Sequence, residues 1–229
     1  FILTRAATFF ARNDALNEAV NVNPEKGLMQ LMQLQNMMQT VSSISLADTN
    51  GHYLRAPEVL ETEDSQSFDA KSRPWFIKQA EASTFSRYTS PYNDYFTHHP
   101  TITVYKPIIS PEGRLKGSLA FHLDLTSMGY ALRQMVAPVQ GEFFVVQRDG
   151  KVVLHPDPGA LFKPYVSEAL MDRMTSGEGQ LYDTDTNAWY YYYSFTNPDW
   201  FVIYRVDNST LVNLTRHETD IVAWSFALA

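Results

Sequence analysis

The sequence predicts an α+β protein with a long N-terminal helical segment followed by two α/β modules, each containing an antiparallel sheet. Three observations lead to this fold class. Apolar residues recur at three- and four-residue steps between Leu28 and Val41, which is typical of an amphipathic helix. The apolar period changes to two on both sides of Asn50-Gly51, a dipeptide that favours a tight turn between strands. The same hairpin pattern returns around Asp149-Gly150.

The composition indicates a globular protein with a sizeable core. The chain has 229 residues, of which 45% are hydrophobic, enough for one large domain or two small ones. Its formal net charge is -7, and no cluster of lysine and arginine interrupts the acidic average. Because nucleic acid binding requires a basic surface, we expect no nucleic acid partner.

The sequence lacks the motifs that would indicate catalysis or metal binding. It has no cysteine, which excludes thiol catalysis, thiolate metal sites and disulfides. It contains neither a Gly-x-Ser-x-Gly elbow nor a glycine-rich phosphate loop. His98, His99, His122 and His155 do not have the spacing that brings three or four ligands onto zinc. We therefore expect a domain that is not an enzyme and holds no metal ion or cofactor.

Residues 1–43 are expected to form the long N-terminal helical segment. Asn23-Pro24 predicts a break, with asparagine as the N-cap and proline at the first helical position of the second part. The apolar stripe beyond this break consists of Leu28, Leu31, Leu34, Met38 and Val41. We interpret the methionines here as core residues that fill irregular gaps, and they are Met29, Met32, Met37 and Met38.

Residues 44–137 are expected to form the first module, with a boundary near Ala137-Pro138. After the hairpin around Asn50-Gly51, the sequence predicts a short helix from about Pro74 to Ala82. Two strands follow, 101–109 and 116–124, separated by a turn that contains Pro111 and Gly113. A helix over 126–135 ends the module.

Residues 138–207 are expected to form the second module. Its hairpin around Asp149-Gly150 leads to a helix near 167–174 and then to a turn at 177–179. Two further strands are predicted at 189–195 and 200–206, both rich in aromatic and β-branched residues.

Residues 208–229 are expected to form a C-terminal helix that leads into a transmembrane segment. The last nine residues, from Ile221 onward, are apolar or small, and a full membrane span needs about 20 such residues. We interpret them as the first turns of a membrane helix in a longer protein, and a C-terminal core helix is the alternative. A signal-peptide pattern is missing.

One stretch suggests ligand binding. Arg73 and Trp75 lie two residues apart at a predicted helix start, and Tyr92, Asp94 and Asp124 follow downstream. A guanidinium can bind a carboxylate in a bidentate manner, carboxylates can bind an ammonium group, and aromatic rings can surround the apolar remainder. The pattern therefore suits a small zwitterion. The structural alternatives are a surface position for Arg73 at a helix N-terminus, a core role for Trp75 and capping roles for the two aspartates.

These residues resemble the double CACHE (dCACHE) sensor domains of bacterial chemoreceptors, histidine kinases and diguanylate cyclases. The resemblance covers nearly the whole chain and is most specific in Arg73-Pro74-Trp75-Phe76, Tyr92-Asn93-Asp94 and Asp124. It implies two PAS-like modules, of which residues 44–137 are the membrane-distal, ligand-binding one and residues 138–207 the membrane-proximal one. The implied ligand is an amino acid.

In the amino-acid-binding branch of that family, the arginine and tryptophan hold the ligand carboxylate. The Tyr-x-Asp pair and the later strand aspartate bind the amino group. The resemblance thus implies the same ligand-binding roles for the matching residues here, namely Arg73, Trp75, Phe76, Tyr92, Asp94 and Asp124. Phe76 and Phe68 stand where the family usually has tyrosine, and each loses a hydrogen bond of roughly 0.5 to 1.5 kcal/mol. That departure extends the ligand class to related amines and carboxylates.

The resemblance implies the periplasmic sensor region of an inner-membrane signalling protein. We expect flanking transmembrane helices, a homodimer, and a cytoplasmic output such as a diguanylate cyclase or another enzyme of cyclic-di-GMP turnover. The alternative is a ligand-free interaction module that dimerises or docks a periplasmic partner.

Overall fold

The computed structural model of the chain describes residues 2–12, 14–59, 67–78, 85–134 and 140–213. The chain divides into two compact units, Phe1–Met128 and Gly129–Ala229. The boundary expected near Ala137-Pro138 lies outside the described residues. Each unit contains one antiparallel sheet, so the predicted α+β class with two sheets is confirmed.

The helices and strands follow the predicted order, with several short additions. The α-helices are α1 (Ile2–Phe10), α2 (Ala15–Asn17), α3 (Pro24–Asn36), α4 (Leu125–Arg133) and α5 (Glu168–Asp172). The strands of the first unit are β1 (Ser43–Asp48), β2 (Tyr53–Ala56), β3 (Arg87–Tyr88), β4 (Tyr92–Asn93), β5 (Pro100–Ile109) and β6 (Leu115–Asp124). Those of the second unit are β7 (Glu142–Gln147), β8 (Val152–Leu154), β9 (Glu178–Asp183), β10 (Ala188–Ser194) and β11 (Trp200–Asp207).

The N-terminal segment is helical with the predicted break. Asn23 lies outside helical geometry and its side chain accepts a hydrogen bond from the Lys26 N–H, while Pro24 occupies the start of α3. A second interruption precedes α2, where Asp14 has a φ of 58°. A π-helical turn, Glu18–Val22, joins α2 to the break.

The methionine interpretation is wrong for three of the four residues. Met29, Met32 and Met37 are exposed, at 59%, 45% and 74%. Met38 packs against the core as predicted. The apolar stripe contributes Leu31 to the core with no exposed surface, and Met29, Met32 and Met37 lie away from it.

One face of the first sheet is apolar and packs against the helical segment. The strand order is β2-β1-β6-β5-β3, with β4 also paired to β5. Ile44 lies opposite Phe121 and Leu46 opposite Leu119, so these four side chains share a face. They form one buried cluster with Leu3, Phe10, Leu16 and Leu31 of the helices.

The other face of the same sheet is polar. Because side chains alternate along a strand, the residues between the core positions all point to this face. Its polar members on the three central strands include Ser43, Ser45, Thr101, Thr103, Ser118, His122 and Asp124. Residues 67–78 cover part of it, and the Ile77 N–H donates to the Ser118 hydroxyl at 2.9 Å.

The helix predicted from Pro74 to Ala82 is not formed over 74–78, and residues 79–82 lie outside the described part. Arg73 is extended, with φ −81° and ψ 147°, as expected for a residue before proline. A 3-10 turn, Ala70–Ser72, precedes it. The Ile77 N–H therefore donates to the sheet and is not available for a hydrogen bond within a helix.

The second unit has the strand order β8-β7-β11-β10-β9, entirely antiparallel. The turn predicted at 177–179 is found only at Gly177, which lies in a bend with a φ of 87°. Glu178 and Gly179 instead begin strand β9, where Gly179 pairs with Tyr192. Burial alternates along β10, where Tyr190 and Tyr192 are buried and Tyr193 is exposed. Ser167 caps α5 through a bond from the Leu170 N–H.

The C-terminal prediction can be followed only to residue 213. Residues 208–213 are helical, and the apolar end of the sequence lies outside the described residues. Among the helices that are described, none is long and apolar enough to cross a membrane.

The apolar face of the first sheet should dominate the stability of that unit. Leu119 is fully buried, so we expect Leu119→Ala to lower the free energy of unfolding by about 2–5 kcal/mol, through lost burial and a cavity. Urea denaturation measures this change. Met29→Ala is the matched control, because Met29 is 59% exposed. Similar effects of the two substitutions would contradict the assigned core.

Candidate functional site

The candidate site lies on the polar face of the first sheet. Strands β4, β5 and β6 bring Tyr92 opposite Thr101, and Thr101 opposite Asp124. Residues 67–78, which cover part of this face, bring Arg73 and Trp75 over it. Residues far apart in sequence thus meet because sheet register aligns them.

Trp75, Phe76 and Tyr92 lie in one aromatic cluster. Trp75 is 3% exposed and packs on Ala47 and Ala120, two small residues of the polar face. Phe76 and Tyr92 pack partly buried against the same group. The small side chains of Ala47 and Ala120 leave room for the large rings. Trp75 is therefore a buried core residue of this cluster, as the structural alternative expected.

Arg73 is half-buried at the edge of this cluster. Its Nε and one terminal nitrogen donate to the Ser72 hydroxyl at 3.1 and 2.7 Å. The guanidinium carbon lies 4.9 Å from the ring centre of Tyr95 and 5.6 Å from that of Phe68. These cation–π contacts hold the positive charge beside aromatic rings.

A buried polar network surrounds Tyr92. Its hydroxyl lies 2.7 Å from the Thr103 hydroxyl and 3.2 Å from Nδ1 of His122. His122 also contacts the Ser45 hydroxyl through Nε2 at 2.8 Å. Burial lowers the pKa of His122 to about 3, so its ring is neutral near pH 7. Burial also raises the pKa of Tyr92 to about 12, so its phenol stays protonated.

Asp94 is 4% exposed and forms a bidentate ion pair with Arg55. Its Oδ2 and Oδ1 each accept from one terminal nitrogen of Arg55 at 3.0 Å. Oδ1 also accepts from the N–H groups of Phe96 and Thr97 at 3.1 and 3.0 Å. Burial acts to raise the pKa of Asp94, but the charge of Arg55 and the Thr97 N–H outweigh it, so the pKa is lowered.

Asp124 lies where β6 ends and α4 begins. Its Oδ1 accepts from the N–H groups of Thr126 and Ser127 at 2.8 and 3.0 Å, which caps the helix. Its Oδ2 lies 2.8 Å from Nδ1 of His99. The side chain is 14% exposed, so it combines a capping role with access to solvent.

A cavity of about 390 Å³ brings part of the predicted set together. It is lined by Ser42, Ser43, Arg55, Pro57, Glu58, Val59, Asp94, Thr97, Thr101 and Asp124. Asp94 and Asp124 therefore share one chamber, whereas the other four predicted residues do not line it. Ser43 also lines it, and its buried hydroxyl has no hydrogen-bond partner among the described residues. An unsatisfied hydroxyl of this kind suits a ligand or a water.

Sequence reasoning missed Arg55, Ser43 and the structural role of His122. The period-two pattern contains a signal for all three, because each is a polar residue that alternates with apolar residues along a predicted strand. In the structure Ser43 lies opposite His122 and Ser45 lies opposite Arg55, all on one face. His122 was considered only as a metal ligand. In the described part of the chain, no group of three His, Asp or Glu side chains could hold a metal ion.

His122 should make the stability of the first unit depend on pH. Its pKa is lower when folded than when unfolded, so the unfolded state binds more protons as the pH falls below about 6.5. We expect the wild type to lose up to about 1.4 kcal/mol of unfolding free energy per pH unit in that range, and His122→Gln to lose less.

Urea denaturation at pH values between about 7 and 4 tests this dependence. The control is His98→Asn, because His98 is exposed and has a φ of 56°, which asparagine tolerates. Identical pH slopes for the wild type and His122→Gln would contradict the assignment.

Comparisons with known proteins give a family and a set of related folds for this chain. The dCache family model, described as the Cache domain, matches residues 2–214. The methyl-accepting chemotaxis protein McpC of Bacillus subtilis is 26% identical over 92 residues, which cover 40% of this chain and 14% of McpC. This chain therefore corresponds to a small part of that protein.

Two solved ligand-binding domains share the fold. That of the Pseudomonas fluorescens chemoreceptor CtaA, in complex with L-isoleucine, is 24% identical with a TM-score of 0.64, covering 92% of this chain and 87% of that chain. That of the Pseudomonas aeruginosa amino acid chemoreceptor PctB, in complex with L-Gln, is 21% identical with a TM-score of 0.67. It covers 98% of this chain and 88% of the other.

Proposed function

Because the chain belongs to the dCache family of Cache sensor domains, we propose that it binds a small zwitterion, such as an amino acid, in its first unit. In this proposal it is the periplasmic sensor region of a bacterial inner-membrane signal transducer. It passes the binding event to a cytoplasmic output domain and catalyses no reaction itself.

The observation that supports this proposal is the grouping of opposite charges on one sheet face. The carboxylates of Asp94 and Asp124 line one cavity and suit an ammonium group. Arg73 lies beside the aromatic cluster of Trp75 and Tyr92 on the same face and suits a carboxylate. A cavity of about 390 Å³ is large enough for an amino acid.

The related structures favour the same ligand class. CtaA is in complex with L-isoleucine and PctB with L-Gln, so this fold accommodates amino acids of different size. Phe68 and Phe76 carry no hydroxyl for the ligand, so the ligand side chain that this chain prefers can differ from that of relatives with tyrosine at these positions. A related amine or carboxylate belongs to the same proposal.

Signalling would use the two faces of the first sheet. The ligand binds on the polar face, while the N-terminal helices pack on the apolar face of the same strands. A ligand shifts an equilibrium only by the difference in its affinity for two states, so the bound state must rearrange these strands or helices. The similarity to McpC supports a methyl-accepting output. An output that makes or degrades cyclic-di-GMP, such as a diguanylate cyclase, has no specific support.

An interaction module is the second candidate. Met29, Met32 and Met37 are exposed on and just after α3, and flexible exposed methionines suit adaptable protein contacts. In this candidate the helical segment forms a homodimer or docks a periplasmic partner, and the cavity stays empty.

Thermal-shift measurements with the common L-amino acids and simple amines separate the two candidates. For the sensor, a ligand at about 100 times its Kd should add about 2.7 kcal/mol of stability and raise Tm by several degrees. The rise should disappear in Arg73→Ala and in Asp124→Ser, which removes the charge but keeps an oxygen able to cap α4.

Ser167→Ala is the matched control, because it removes a helix cap in the second unit and should leave the ligand-induced rise intact. A wild-type protein that shows no rise with any compound would favour the interaction module. A rise that persists in both site variants would place the ligand elsewhere.

A further inference from the structure

Asp124 has one carboxylate oxygen that is free of its capping role. Its Oδ1 accepts from two N–H groups in the first turn of α4, and these bonds use both lone pairs of that oxygen. Its Oδ2 remains for the ammonium group of a ligand, but Nδ1 of His99 already lies 2.8 Å from it. His99 therefore occupies the hydrogen-bonding position that the proposed function gives to the ligand.

His99 can leave this position without a change in the main chain. Its carbonyl accepts from the Asp94 N–H and from the Thr101 hydroxyl, both at 2.9 Å, which anchors the backbone at the start of β5. Its side chain is 59% exposed, whereas that of Asp124 is 14% exposed. Exposed side chains change rotamer quickly, so the ring can turn into solvent while Asp124 stays at the cavity.

The strength of the contact between His99 and Asp124 depends on a proton. The other titratable or charged side chains around the cavity and the neighbouring turn are Arg55, Glu58, Asp94, His98 and His122. Arg55 and Asp94 cancel each other as a buried pair, and burial keeps His122 neutral near pH 7. His99 is the histidine in contact with Asp124. When its ring gains a proton, the contact becomes a charge-assisted bond, which is stronger than a neutral one.

We propose that His99 competes with the ammonium group of the ligand for Oδ2 of Asp124, so that protonation of His99 lowers the affinity of the site. This proposal rests on the proposed function. A proton on His99 and an amino acid at Asp124 oppose each other, and each weakens the binding of the other by the same factor. Ligand binding therefore releases the proton, and the affinity rises with pH.

Isothermal titration calorimetry of the whole 229-residue chain, between about pH 5 and 7, tests this competition. The probe is the L-amino acid that gives the largest rise of Tm in the thermal-shift measurements. We expect its Kd to fall by about threefold to tenfold from the acidic to the neutral end of this range, as one partly exposed charge pair allows. Any titration of the probe itself is common to all variants and cancels in their comparison.

Two variants of His99 separate the charge from the ring. His99→Asn removes the titration, so its Kd should stay at or below the wild-type value for neutral pH throughout the range. His99→Lys keeps a positive charge throughout, so its Kd should stay near the wild-type value for acidic pH. The matched control is His98→Asn, because His98 is the exposed neighbour and asparagine tolerates its φ of 56°. This control should keep the wild-type dependence on pH.

Three results would overturn the inference and retain the proposed function. They are a wild-type Kd that does not change with pH, a pH dependence that persists in His99→Asn, and equal Kd values for His99→Asn and His99→Lys at neutral pH. A wild type that binds no amino acid at either end of the range contradicts the proposed function as well. Circular dichroism at both ends establishes that each protein is folded, since His122 lowers stability in acid.

Discussion

The alternation of side chains along β1, β5 and β6 is the constraint on which the rest of the first unit depends. Because successive residues point to opposite faces, one set of positions can be fully apolar while the next set is polar. Ile44 and Leu119 are fully buried against the helical segment, whereas Ser43 and His122 lie on the other face. A slip of one residue in register would exchange the two faces, so core formation and site formation require the same register.

The polar face is unusual because much of it is buried. Burying polar groups costs free energy unless each has a partner, and His122 meets this requirement by contacting Ser45, Thr103 and Tyr92. Its neutral ring connects its own strand β6 with β1, β4 and β5 without adding a charge. Tyr92 thereby acquires a defined orientation, which a residue in contact with a ligand needs.

The buried pair of Arg55 and Asp94 is poorly explained by stability alone. The desolvation of two charges offsets most of their attraction, and apolar residues of similar size often serve a core equally well. The pair lines a cavity together with Asp124 and Ser43, whose hydroxyl has no hydrogen-bond partner within the part of the chain that the structure describes. The clear structural consequence of the pair is that the carboxylate of Asp94 is held in one orientation at the cavity, because each of its oxygens accepts a hydrogen bond from Arg55.

Local chemistry determined much of the secondary structure. The break at Asn23-Pro24, the hairpin turns at Gly51 and Gly150, and most strands follow from capping, turn preference and apolar period, because these act over a few residues. The helix expected at Pro74 failed because its backbone amide at Ile77 binds Ser118, 41 residues away, which no local pattern contains.

The residues of the candidate site could likewise be predicted only in part from the sequence. The sequence by itself pointed to Arg73, Trp75, Tyr92, Asp94 and Asp124 through their residue types and their resemblance to a family. Only the tertiary structure decided that Asp94 is paired with Arg55, 39 residues earlier, and that Asp124 shares its cavity. Partners of this kind are set by strand register and packing, and these depend on the whole sheet rather than on neighbouring residues.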